Sequence, residues 1–105
     1  MNTQEKESRI QELQMLEQNL QNILLQKQAF QMELREVQSA LKELEKSGEE
    51  VFRIIGQLMI KTDKKIMIEE LVNKEKIIEM RIKSFEKQEQ ALSGKLEAMQ
   101  REILK

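Results

Sequence analysis

The chain contains neither cysteine nor histidine among its 105 residues. Their absence excludes disulfide bonds, thiolate chemistry, zinc sites of the usual kind and acid–base catalysis by histidine. Proline is also absent, and glycine and aromatic residues occur only three times each. Charged residues make up 35% of the chain, and this composition is unfavourable for a compact globular core. It is typical of long helices with exposed polar faces. We therefore expect a single domain over residues 1–105 that is not an enzyme.

Long apolar runs and an excess of one charge are missing as well. No apolar stretch approaches the length of about 20 residues that a membrane-spanning helix needs, and the first nine residues, MNTQEKESR, are polar and mixed in charge, unlike a signal or transit peptide. The net charge is −1 with both signs interleaved, which offers no basic surface for nucleic acid or membrane. These features predict a cytoplasmic protein.

Sites for metals or nucleotides are not expected either. The glycines stand alone at positions 48, 56 and 94, so no phosphate-binding loop is present. The adjacent carboxylates at positions 49–50 and 69–70 would point about 100° apart on a helix and lack further ligand residues nearby. The sequence therefore predicts no cofactor.

Residues 5–46 show an apolar pattern that repeats every seven residues, which predicts a helix of that extent. We assign Leu13 to heptad position a and call the a and d positions together the seam. Over five heptads, nine of the ten seam positions are apolar and the exception is Lys27. The apolar residues are Leu13, Leu16, Leu20, Ile23, Phe30, Leu34, Val37, Leu41 and Leu44. Such a stripe faces a partner helix in a coiled coil. Ser47 and Gly48 follow, and we expect Gly48 to end the helix in the left-handed conformation.

A second seam over residues 64–104 predicts another helix of about the same length. Asp63 is the expected N-cap, and Gly94 falls at an outward f position, where it weakens the helix without breaking it. Nine of eleven seam positions are apolar: Ile68, Leu71, Ile78, Ile82, Phe85, Leu92, Leu96, Met99 and Ile103, with Glu75 and Glu89 as exceptions.

Two helices of about equal length predict an antiparallel hairpin in which residues with numbers summing to about 112 are neighbours. Phe30 and Phe85 would then lie within about one layer of each other. Lys27 and Glu89 would lie near the same level, where they either pair and fix the register or each extend along their stems to solvent.

The linker between the helices is rich in β-branched residues, which favours strands at about 50–55 and 58–62 joined by a type II′ turn at Gly56-Gln57. Alternation would leave apolar groups on both faces of this hairpin, and an isolated hairpin is marginal in water. The linker should therefore be buried by other subunits, the alternative being an irregular capping loop. The expected assembly residues are Val51, Phe52, Ile54, Ile55, Gly56, Leu58 and Ile60.

The motif Val51-Phe52-Arg53-x-x-Gly56-x-Leu58-x-x-Lys61 between two heptad helices closely resembles the β-type subunit of prefoldin, and the resemblance covers nearly the whole chain. The resemblance extends to Asp63, to Glu69-Glu70-Leu71 and to the segment at 81–89. The resemblance implies a mainly α fold, a long antiparallel two-helix coiled coil whose β-hairpin joins an intersubunit β-barrel. It further implies a hexamer of two α-type and four β-type subunits, which holds unfolded client proteins without ATP and passes them to a group II chaperonin.

Client binding would fall on apolar residues near the chain termini, where a coiled coil frays. We expect this surface to comprise Ile10, Leu13, Met15, Leu16, Met99, Ile103 and Leu104. The seam explains four of them as ordinary core, whereas Ile10, Met15 and Leu104 lie off it. Further off-seam residues either line a cavity or are scattered surface residues: Leu24, Leu25, Met32, Ile77 and Met80. The competing function is a purely architectural or filament-forming coiled coil that binds no client.

Overall fold

A computed structural model describes residues 2–105 and contains two long helices with a two-stranded β-hairpin between them. Helix α1 spans Thr3–Lys46, strand β1 Glu50–Ile55, strand β2 Leu58–Asp63 and helix α2 Lys64–Leu104. This confirms the mainly α architecture predicted from the heptads and the linker. Neither helix has a stretch long and apolar enough to cross a bilayer, within the residues described.

Helix α1 begins two residues earlier than predicted because Asn2 caps it. The Asn2 Oδ1 atom accepts a hydrogen bond of 2.8 Å from the backbone N–H of Glu5, and Asn2 Nδ2 donates one of 3.4 Å to Glu5 Oε1. The first bond is the N-cap contact of a capping box, with asparagine in place of serine. The second joins the two side chains, whereas the glutamate of a capping box accepts from the backbone N–H of the cap residue. The spacing of Asn2 and Glu5 in the sequence predicts the first contact.

Helix α1 ends at Lys46 as predicted, but the expected role of Gly48 is wrong. Gly56 is the glycine with positive φ among residues 2–105, so Gly48 does not adopt the left-handed conformation. Instead the Ser47 N–H donates to the carbonyl of Glu43 at 3.0 Å, and the Ser47 hydroxyl donates to the carbonyl of Leu44 at 2.9 Å. The Ser47 hydroxyl thus donates a hydrogen bond to a carbonyl of the last helical turn. In a helix that ends at a left-handed glycine, a backbone N–H would supply such a bond instead.

The linker is a regular antiparallel hairpin, which excludes the alternative of an irregular loop. Six residue pairs run from Glu50 opposite Asp63 to Ile55 opposite Leu58. Gly56 has a φ of 60°, whereas Gln57 has no positive φ. This combination fits the predicted type II′ turn, since a type I′ turn needs positive φ at both central residues.

Helix α2 begins where its cap was predicted, because the Asp63 carboxylate accepts a hydrogen bond of 2.8 Å from the Lys65 N–H. The Lys64 ammonium donates to the carbonyl of Ser47 at 2.9 Å and so joins the start of α2 to the end of α1. Gly94 is exposed, and the helix continues through it.

The central unit, Phe30–Arg81, contains the hairpin and the helix segments on either side of it. Its buried residues are Val37, Leu44 and Ile78 from the seam together with Val51 from β1. The helices run antiparallel here, because Phe30 lies beside Arg81 while Glu33 pairs with Lys74 farther along α1. The Arg81 guanidinium carbon lies 5.6 Å from the centre of the Phe30 ring, within reach of a cation–π attraction.

The terminal unit comprises the described residues 2–29 and 82–105. Its helices also run antiparallel, since Arg9 pairs with Glu102 at 2.8 Å and Lys27 with Glu89 at 2.7 Å. The residue numbers of Arg9 and Glu102 sum to 111, in agreement with the predicted sum of about 112, whereas those of Lys27 and Glu89 sum to 116, about one helical turn from it. The Lys27–Glu89 contact confirms that these two polar seam residues pair across the helices, which excludes the alternative that each extends separately to solvent.

Candidate functional site

The hairpin exposes apolar side chains on both faces, as the alternation of its strands predicts. Residues paired directly across an antiparallel ladder project to the same face, so Ile54 and Met59 share one face and Ile55 and Leu58 share the other. The exposed apolar residues of the two strands are Phe52, Ile54, Ile55, Leu58, Met59 and Ile60. Val51 differs because it is buried, with 7% of its surface exposed.

One hairpin face borders a groove between the strands and the helices of the central unit. The strand residues that line it are Glu50, Val51, Phe52, Ile54 and Met59. The helices contribute mainly apolar residues, including Leu44, Met67 and Leu71. The groove is therefore an apolar recess continuous with the exposed hairpin face.

The polar contacts of the hairpin lie at its base and beside α2. Lys61 Nζ lies 3.4 Å from Glu50 Oε1, and the Arg53 guanidinium pairs with the Glu70 carboxylate on α2. Within this two-stranded sheet each strand has a single neighbour, so each outer edge presents backbone groups for pairing with another chain.

In the terminal unit, two grooves form between α1 and α2 near the chain ends. Met15, Leu16, Ala98 and Met99 form the apolar part of the first groove, and its polar lining residues are Glu12, Asn19 and Lys95. The second is lined by Leu13, Gln100, Ile103 and Leu104. The structure thus brings together Met15, Leu16 and Met99 in one groove and Leu13, Ile103 and Leu104 in the other.

The expected client residues fall into two classes of exposure. Leu13, Leu16, Met99 and Ile103 are half-buried at the seam. The three off-seam residues are exposed, with Met15 at 65% and Leu104 at 85% of the full surface and Ile10 less so. Ile10 lines neither of the two grooves just described. The role of all seven in client binding stays a prediction.

The other off-seam residues do not form one surface. Leu24 is half-buried and lines a shallow recess with Leu20, Glu17 and Gln21 in the terminal unit. Leu25 in the same unit and Met32, Ile77 and Met80 in the central unit are exposed.

Sequence reasoning missed one prominent residue of the hairpin, Met59, which is 67% exposed. A two-residue turn at Gly56-Gln57 places Met59 opposite Ile54. Counting residue pairs outward from that turn would therefore have identified Met59 as a member of the exposed face. The polar rim of the first terminal groove was missed as well, because Glu12 and Lys95 carry no pattern that distinguishes them from other charged residues of the helices. Across residues 2–105, no group of three or more acidic side chains is placed to hold a metal ion.

Comparison with known proteins gives relatives over nearly the whole chain. A family described as "Prefoldin subunit" matches residues 7–105. The prefoldin subunit beta of Sulfurisphaera tokodaii is 36% identical over 101 residues, covering 94% of this chain and 81% of the relative. The prefoldin subunit beta of Thermococcus onnurineus is 39% identical over 89 residues, covering 83% of this chain and 77% of the relative.

A solved structure agrees with these relatives in fold. The crystal structure of the prefoldin beta subunit from Thermococcus strain KS-1 superposes with a TM-score of 0.87 at 33% sequence identity, over 94% of this chain and 89% of that one. The match includes the two helices and the hairpin between them. The chain therefore belongs to the prefoldin subunit family, and its similarity is to the β-type subunits.

Proposed function

We propose that this chain is a chaperone subunit that holds unfolded proteins, without ATP, at the grooves of its terminal unit and delivers them to a group II chaperonin. The observation that carries the proposal is the presence of two kinds of exposed apolar surface. One lies on the hairpin, and the other lies between the helix ends near the chain termini. Each surface supports a different part of the function.

The hairpin surface supports assembly with other prefoldin subunits. Six exposed apolar residues on a two-stranded hairpin are an aggregation hazard unless another chain covers them. Burial of apolar area contributes about 25 cal/mol per Å², so covering both faces would strongly favour association. The proposed assembly has two α-type and four β-type subunits, with their hairpins joined in a shared β-barrel.

The terminal grooves support client capture. Met15 and Met99 have flexible, polarisable side chains that fit partners of varied shape. A non-native protein exposes apolar side chains that the folded state buries, and these can enter grooves lined by Met15, Leu16 and Met99. Charged groups at the rim, Glu12 and Lys95, keep the free groove hydrated at its edge. The cytoplasmic location of this activity stays a prediction.

The decisive experiment is an aggregation assay on the assembled protein. The chain is mixed with an α-type prefoldin subunit, and the complex is isolated and its mass measured. Light scattering of a denatured model protein is then recorded with the complex, with the α-type subunit alone and with no addition. We expect the complex to slow aggregation and to release the client to a group II chaperonin. A complex of full mass that leaves aggregation unchanged would favour the purely architectural coiled coil.

A further inference from the structure

Two segments that carry the resemblance to the β-type prefoldin subunit meet in the central unit. The guanidinium of Arg53 on β1 pairs with the carboxylate of Glu70 on α2, although the two residues are 17 positions apart in the chain. Among the ion pairs formed by residues 2–105, this one joins a strand to a helix, whereas the others join two helices, the two strands or residues of one helix. The pair therefore connects the hairpin to the coiled coil.

The pair holds β1 at a point where no covalent link ties that strand to α2. Strand β2 continues directly into α2 at Asp63 and Lys64, so the chain itself holds that side of the hairpin. Strand β1 has no such link to α2, and Val51 near its start is buried. Arg53 is the fourth of the six residues in β1, so its contact with Glu70 lies closer to the turn than this buried residue does. The pair therefore limits rotation of the hairpin about its junction with α2.

Arg53 is also the single charged residue on its face of the hairpin. It lies directly opposite Ile60, and residues two apart in a strand share a face. The other members of this face, which with Arg53 we call the arginine face, are Val51, Ile55, Leu58, Ile60 and Thr62. Exposure rises along β1 from 7% at Val51 to 54% at Ile55, and the Arg53 side chain between them is 37% exposed. Arg53 therefore lies at the boundary between the part of this face that its own chain covers and the part that stays exposed.

Glu70 lowers the free-energy penalty of covering this face with another chain. A lone guanidinium would lose its hydration when a second subunit packed on the exposed apolar residues beside it, and removing an unpaired charge from water is strongly unfavourable. A carboxylate already in contact with that guanidinium compensates the charge before the subunits meet. In the isolated chain the same pair adds little to stability, because 52% of the Glu70 side chain is exposed.

We infer that Glu70 is a positioning residue for assembly, which holds Arg53 against α2 and compensates its charge so that another subunit can cover the arginine face. The inference rests on the proposed function, in which the hairpins of several subunits pack together. It goes beyond that function by assigning a role in the subunit interface to a residue of α2. Because the pair forms within one chain, the orientation of the hairpin is set before another subunit arrives.

Two other roles for the pair lead to different expectations. An ordinary surface ion pair would affect neither assembly nor stability appreciably. If Arg53 instead bound a carboxylate of a neighbouring subunit, Glu70 would compete for its guanidinium, and loss of Glu70 would leave assembly unchanged or strengthen it. A pair that must stay together within the chain differs from both, because loss of Glu70 then weakens assembly and a pair with reversed charges restores it.

The test compares three variants of the chain, each mixed with the α-type subunit. Glu70→Gln removes the counter-charge with little change in side-chain size or helix propensity. Arg53→Glu with Glu70→Arg reverses the pair, and Arg53→Met with Glu70→Gln removes both charges. The control is Glu33→Gln, which breaks the ion pair with Lys74 in the same unit, where the side chains are 40% and 54% exposed. For each variant, mass measurement gives the concentration of half-maximal complex formation, and circular dichroism follows thermal unfolding of the isolated chain.

We expect Glu70→Gln to raise the half-maximal concentration about tenfold, because the Arg53 charge is covered without its partner. The reversed pair and the uncharged pair should stay within about threefold of the unchanged chain and the control within about twofold, while thermal unfolding hardly shifts in any variant.

Unchanged assembly of Glu70→Gln would overturn the inference. A reversed pair that assembles as poorly as Glu70→Gln would also overturn it, since charge compensation would then not be the cause. The same holds for a loss of chain stability large enough to account for the loss of assembly. Failure of the unchanged chain to form any complex with the α-type subunit would contradict the proposed function itself, and the inference with it.

Discussion

The Lys27 ammonium donates a hydrogen bond of 2.7 Å to Glu89 Oε2 across the seam of the terminal unit. Both residues occupy a positions of a seam that is mostly apolar, and their side chains are only 18% and 29% exposed. Each charge therefore stabilises the other at a site that is only partly accessible to water. A shift of one helix by a heptad would separate the two charges and set each against apolar neighbours, so the pair favours a single register.

Replacing Glu89 with leucine should lower the free energy of unfolding by about 1.5–3 kcal/mol, because the Lys27 charge loses its partner in a partly buried site. The double change Lys27→Leu and Glu89→Leu should recover most of that loss, since two apolar residues pack at the seam. Urea unfolding followed by circular dichroism at one fixed protein concentration measures both effects.

The ion pair between Glu33 and Lys74 provides the control for this prediction. Its atoms are 3.4 Å apart and its side chains are 40% and 54% exposed, so Lys74→Leu should change stability by less than about 1 kcal/mol. Equal losses for Glu89→Leu and Lys74→Leu would show that the seam position of the first pair has no special effect.

Gly94 is expected to be replaceable by alanine with a gain in stability of about 1 kcal/mol. It lies in the middle of a helix turn in α2, and an added Cβ would meet no atom within 4 Å. Gly56→Ala is the contrasting change, because Gly56 has a φ of 60° at the hairpin turn, where a side chain costs about 1–2 kcal/mol. Thermal unfolding of the two variants should shift in opposite directions, and a loss of stability in Gly94→Ala would contradict the assignment of an open outward position.

The double change Phe52→Lys and Ile54→Lys should abolish the high-mass complex while leaving helix content intact. Both residues are exposed on one face of the hairpin, and charges there would have to be buried if that face were covered by another subunit. Mass measurement after mixing with the α-type subunit, together with circular dichroism, tests this outcome.

Ile77→Lys and Met80→Lys form the matched control, since these residues are also exposed apolar side chains of the central unit but lie on α2. The control variant should assemble normally. Unchanged mass in the hairpin variant would refute assembly through a shared barrel.

Much of the fold could be predicted because heptads and caps act locally. The seam from Leu13 to Leu44 and the cap at Asp63 depend on neighbours within one or two helical turns. The hairpin followed from β-branched residues around Gly56, whose φ the turn requires. Prediction was wrong at Gly48, because a serine hydroxyl can complete a helix end as well as a left-handed glycine can, and the pair Ser47-Gly48 offers both.

The candidate surfaces were less predictable than the fold. Apolar residues off the seam, such as Met15 and Leu104, stand out because the coiled coil does not need them there. The division of the predicted client residues between two grooves depends on how α1 and α2 face each other near the chain ends, which no local pattern determines. The polar rim at Glu12 and Lys95 is similarly set by the pairing of the helices.

The most direct test of client capture at the terminal unit is the triple change Ile10→Ser, Met15→Gln and Leu104→Ser. These residues are exposed off the seam, so the assembled mass should be unchanged and thermal unfolding should shift only slightly. Removing apolar area that contributes about 25 cal/mol per Å² to client binding should weaken aggregation suppression about tenfold.

Its control changes three exposed apolar residues of the central unit, Met32→Gln, Ile77→Ser and Met80→Gln. The measurement is the concentration of assembled protein that halves the light scattering of a denatured model protein. The account predicts that this concentration rises about tenfold for the triple change at the chain ends and stays at its original value for the control. Full suppression by the terminal variant would place the client site elsewhere, and a collapse of its stability would show that these residues belong to the core.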